Sequence, residues 1–166
     1  MSLEYSRPVS PSDFFFVSGT DFISKTIPGQ GSHFTTDPLG LYNFPEWRRF
    51  VSAAFAADWA SYSSPDDRTD FERHCFVLSR NPTGLRVWFI KGAGPGGCAL
   101  PVGYSFVYRV SESTFSRFEN RDQTLSDRLV SPIPWYDTAA LQGKRFAYLF
   151  SVSIAAPLRK TEVSRN

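Results

Sequence analysis

The sequence predicts an α+β fold, a mostly antiparallel central sheet flanked by helices. Short runs rich in aromatic and β-branched residues recur at 85–91, 102–110 and 145–154, each bounded by turn residues. These runs follow one another as hairpin-like neighbours. One longer stretch, beginning at Pro45, instead places apolar residues at helical spacing.

Taken in order, residues 1–44 form an irregular leader with a first strand at 13–18, carried by Phe14-Phe15-Phe16-Val17. Residues 45–166 form a helix-plus-sheet core, and the 166 residues suit one domain large enough to bury that core. Asn43 is a capping residue, Pro45 fits the first turn, and Glu46 favours the positive end of the helix dipole. Trp47, Phe50, Val51, Ala54, Phe55, Trp59 and Tyr62 then share one face, predicted to pack inward, with Asp58 mostly elsewhere. The apolar run at 74–79 is predicted as a strand, paired through a turn at 80–84 with the strand at 85–91. A loop at 92–97 leads to the strand at 102–110. The polar stretch at 111–130 suits one or two short helices, and 131–137 reads as a proline-braced loop.

Sixteen Phe, seven Tyr and four Trp against one Met predict a core built on rings. A net charge of +2 without a Lys/Arg run excludes a nucleic-acid footprint. No apolar stretch reaches the roughly 20 residues that span a bilayer, and no basic-then-apolar leader opens the chain. The expected location is the cytoplasm. Cys75 and Cys98 show no metal-ligand spacing with His33 or His74, so no metal is expected, and Cys75 reads as a buried thiol.

Gly92-Ala93-Gly94-Pro95-Gly96-Gly97 satisfies the dinucleotide pattern in letters only. That chemistry needs a helix N-terminus behind the glycines, whereas Pro101 and a strand follow, so the stretch reads as a loop between strands. No nucleophile elbow occurs. Asp66, Asp67, Asp70 and Glu72 read as a solvated turn.

The strand at 145–154 is the most informative element. Phe146, Tyr148, Phe150, Val152 and Ile154 share one face by period-two geometry, and that face is too apolar to meet water. Ala155-Ala156-Pro157 ends the strand, and a polar helix start follows. With Val102-Gly103-Tyr104 opening the previous strand, this order of elements resembles the N-terminal part of the GNAT acetyltransferase superfamily. The resemblance covers about residues 45–166. It implies transfer of an acyl group from acetyl-CoA or another acyl-CoA to a small-molecule or peptide amine. It also implies that Val152 and Ile154 line the cofactor edge, and that Arg159, Lys160, Thr161 and Ser164 lie in the loop facing the pyrophosphate. Trp135, Tyr136 and Asp137 are the acceptor-site candidates, and no catalytic residue is assigned.

The family's loop uses glycines so that the backbone can approach the phosphates. Counted from Arg159, this chain has Glu162 and Ser164 in those places; counted from Lys160, it has Val163 and Arg165. The family's later helix and strands have no counterpart within residues 1–166. The alternative expectation is therefore a non-catalytic binding or assembly domain, using an aromatic-rich sheet and an open strand edge. That edge would be covered by a partner strand or by a second copy in a homodimer.

Overall fold

Alternation along the chain builds the sheet first. In β2 (Leu85–Ile90), Leu85 and Val87 are buried while Arg86 and Trp88, alternating with them, face outward. β1 (Phe14–Ser18) pairs antiparallel with β2, β2 with β3 (Leu100–Val110), and β3 with β4 (Phe146–Ile154). The spatial order is the chain order, β1-β2-β3-β4. These elements come from a computed structural model, which describes residues 9–26, 41–62, 70–120, 133, 146–155 and 158.

The protein is thus α+β, with helices packed on an antiparallel sheet. The described helices are α1 (Gly19–Thr26), α2 (Pro45–Ser61), α3 (Phe71–Arg80) and α4 (Glu112–Glu119). They pack against a single sheet face. Ile23, Trp47, Phe50, Val51, Val77 and Leu78 from the helices bury against Leu85, Val87, Tyr104, Phe106 and Val110 from the strands. Rings are the minority of these buried side chains, Trp47, Phe50, Tyr104 and Phe106, though partly buried rings pack against them: Phe22 stacks on Phe50 at 4.6 Å between centroids, and Trp47 tilts against Phe50 at 5.7 Å. Trp47, fully buried, also donates its indole N–H to the Ser79 hydroxyl at 3.1 Å and so ties α2 to α3.

Several expectations need correction. Residues 74–79 are not a strand; they belong to α3. The Asp70 side chain accepts the Arg73 backbone N–H at 3.0 Å as an N-cap, and Glu72 stands in the first turn. Among the described side chains of this helix, His74, Cys75, Val77, Leu78 and Ser79 are buried, with 74/78 and 75/79 four apart as on one helical face. Asp70 and Glu72 are therefore the start of a helix rather than a loop. Residues 19–26, read as part of an irregular leader, form α1.

In α2, Phe44 occupies the N-cap without a side-chain bond, so Asn43 does not cap. Trp59 is 45% exposed, and the core side of the last turns is formed instead by Ala57, Asp58 and Ser61.

The faces of β4 also depart from simple alternation. Leu149 pairs with Val107 and Val152 with Ser105, so one extra residue of β4 is inserted between them as a bulge at the Phe106/Val107 step. Leu149 and Val152 consequently share the outer face although they stand three positions apart. They are 56% and 60% exposed. Ser153, opposite Tyr104, turns to the helix side and is buried. A single apolar face running from Phe146 to Ile154 does not form.

Candidate functional site

Two features stand out, one on each side of the sheet. The outer face, away from the helices, carries a groove of about 420 Å³. Pairing explains its shape. Phe16 opposes Trp88, Trp88 opposes Gly103, and Gly103 opposes Ile154, one row across all four strands. Gly103 contributes no side chain, which leaves a dip between Trp88 and Ile154. A Cβ built there would lie 2.6 Å from the Ser153 carbonyl oxygen, so only glycine allows this approach of β3 to β4.

At one end of the groove, Phe14, Ile154 and Leu158 gather over a small second core containing Ile90, Val102 and Ala155. The Ala155 N–H donates to the Val102 carbonyl at 2.7 Å and the Leu158 N–H to the Ala155 carbonyl at 2.9 Å, closing the turn that follows β4. At the other end stand Val152, Ser105 and Trp88. None of the described lining residues carries a carboxyl, imidazole, thiol or amine.

The helix side holds a buried polar cluster. Asp58, on α2 and fully buried, accepts the Tyr104 hydroxyl at 3.1 Å and the Ser153 hydroxyl at 2.8 Å on the same Oδ1. The Ser61 hydroxyl donates to the Asp58 carbonyl at 2.7 Å. One acidic side chain therefore joins α2, β3 and β4. Sequence reasoning placed Asp58 off the core face because charged residues are rarely buried without partners. Its spacing was the available signal: it stands four residues after Ala54 and seven after Val51, on the same stripe.

His74 lies beside this cluster, its ring edge-on to Tyr104 at 5.2 Å and to Phe55 at 5.6 Å. It is fully buried, and neither ring nitrogen has a hydrogen-bond partner among the described residues. Burial pushes its pKa down from 6.5 to about 4. The unfolded chain therefore takes up this proton at a higher pH than the folded chain does. Stability from this group is complete above about pH 6.5, falls as the pH drops, and stops falling near pH 4, where both states are charged. Between pH 7.5 and pH 5 the expected loss is about 2 kcal/mol. Urea unfolding at the two pH values should show this loss in the wild type and not in His74→Leu; equal losses in both would reject the assignment.

Burial also pushes the neighbouring Cys75 thiol up to about 11, which keeps it protonated and a poor nucleophile near neutrality.

Of the residues predicted from sequence, Val152 and Ile154 come together on the groove wall, and Ser153 between them joins the Asp58 cluster on the opposite face. Arg159, Lys160, Thr161 and Ser164, and the acceptor-site candidates Trp135, Tyr136 and Asp137, lie outside the described residues. The stretch 92–97 is a loop containing a short 3-10 turn at Pro95–Gly97, and a strand follows it, as Pro101 and the apolar run after it predict. Among the described residues no three His, Cys, Asp or Glu side chains converge as a metal site. No described helix is long and apolar enough to cross a membrane. No family model, curated protein or solved structure matches this chain.

Proposed function

We propose that this chain is an acyltransferase-like domain that binds acyl-CoA along β4 and serves acyl transfer to an amine. The observation that carries the reading is the bulged β4 at the end of the described sheet, whose outer face presents Val152 and Ile154 to a groove and whose C-terminus turns at Ala155. The reading draws further support from the order of elements: helices between β1 and β2 lie on one face, and an antiparallel β2-β3-β4 meander follows. In the reaction, the amine nitrogen attacks the thioester carbonyl, the C–S bond breaks, and the CoA thiolate leaves. The amine's surplus proton passes to a base.

The described lining residues supply apolar binding surface and hydroxyls but no carboxyl, imidazole, thiol or amine that could take the amine's proton. That observation favours a second reading, a non-catalytic binding domain for the same kind of ligand. Calorimetry with acetyl-CoA tests the binding common to both. Saturable binding is expected, weakened about tenfold by Val152→Asp, which puts a charge into the apolar wall beside an anionic cofactor. The absence of any heat or thermal shift with wild-type protein would reject CoA recognition. Turnover with an amine acceptor then separates the two readings.

A further inference from the structure

The groove is polarised in a way that CoA recognition does not require. Its floor crosses the sheet from β4 to β1, a span of about 14 Å at the usual strand spacing. Phe14, Ile154 and Leu158 make one end wholly apolar. At the other end the Ser105 hydroxyl lines the groove, and one cationic residue, Arg86, stands next to it across the strands. Arg86 pairs with Ser105, which lines the groove, and Arg86 projects on the same outer face as Trp88, two residues along β2. Arg86 is exposed, and its recorded contact among the described residues is the Phe16 ring, 6.0 Å from the guanidinium carbon. No described carboxyl group stands against it. A guanidinium beside an apolar trough matches an amphiphile with an anionic head.

The volume sets the size of the tail. About 420 Å³ accommodates on the order of ten methylene-sized groups, taking roughly 30 Å³ as the share of one water in the liquid. Phe16, Trp88, Leu149 and Val152, the large apolar side chains left exposed on this face, lie in or beside the trough. A hydrocarbon chain laid across Trp88 and Val152 covers the part of that surface that costs most in water.

We propose that the outer groove binds a free medium-chain carboxylate. The chain runs over Gly103 between Trp88 and Val152 toward Phe14, Ile154 and Leu158, and the carboxylate lies at Arg86 and the Ser105 hydroxyl. The ligand needs no CoA, so this site stands or falls apart from the acyltransferase reading.

Titration with octanoate, butyrate and 1-octanol tests it in CoA-free buffer. Octanoate should bind saturably at one site, at least tenfold tighter than butyrate, because four methylenes are withdrawn from water. Arg86→Gln should weaken octanoate about three- to fivefold, the size of one exposed charge pair, and change 1-octanol by less than twofold. Arg86→Lys should retain most octanoate affinity, while Val152→Asp should weaken both ligands. Arg49→Gln, an exposed change on α2, should alter neither. Equal response of octanoate and 1-octanol to Arg86→Gln, or butyrate binding as tightly as octanoate, would overturn the proposal. So would sedimentation showing a stable dimer whose formation abolishes octanoate binding, because the occupant would then be a second copy. If Arg86→Gln fails to fold, the wild-type octanoate-to-butyrate ratio and the Arg86→Lys variant decide the question.

Discussion

Asp58→Ala should lower the folding free energy by roughly 2–5 kcal/mol, because two buried hydroxyls, on Tyr104 and Ser153, lose the oxygen that accepts them. The cost arises less from the bonds themselves than from donors left enclosed without water. This gives a signature that a simple packing defect lacks. Adding Tyr104→Phe and Ser153→Ala to Asp58→Ala should recover part of the loss, since the stranded donors are then gone. Chemical denaturation of Asp58→Ala, of Tyr104→Phe with Ser153→Ala, of all three together and of the wild type measures the coupling. Strictly additive losses would show that the cluster does not act as a unit. Asp58→Asn should cost less, since an amide oxygen can still accept both hydroxyls.

Trp47→Ala is the second large effect expected. Trp47 has no exposed surface and sits between Phe22, Phe50 and Ser79. Truncating a buried Trp or Phe to Ala costs about 3–5 kcal/mol, because the cavity closes only partly. The loss here should lie at the upper end, as the buried Ser79 hydroxyl also loses its donor. Against a typical total of about 5–15 kcal/mol, such a change brings the domain close to unfolding at 37 °C. Trp47→Phe fills most of the space and should cost about 1–2 kcal/mol. Thermal melts of the two variants check the pair, and equal destabilisation would show that the hydrogen bond, not the volume, holds α2 to α3.

What could be read from the chain follows from how locally each feature is encoded. β1, β2 and β3 were legible because their own residues alternate or carry dense rings between turn residues, and α2 because Trp47, Phe50, Val51 and Ala54 repeat at helical spacing. α3 was misread because an apolar run of six residues fits a strand or a buried helix turn equally well. The decisive residue, the Asp70 cap, lies outside that run.

The groove was half legible. Val152 and Ile154 could be assigned to one wall from the resemblance, but the bulge that turns Leu149 and Val152 to the same face is a property of the β3–β4 pairing, not of either strand alone. The dip at Gly103 and the second wall at Trp88 depend on a cross-sheet row that no local pattern announces. The Asp58 cluster was missed for a related reason: its hydroxyl partners are 46 and 95 residues away along the chain.

Amide hydrogen exchange along β4, measured with and without acetyl-CoA, tests the central functional claim most directly. If β4 is the cofactor-binding strand, amides in residues 147–153 slow on addition of acetyl-CoA, while those of β1, on the far edge of the described sheet, do not change. Exchange along β4 that is identical with and without saturating acetyl-CoA would contradict the account.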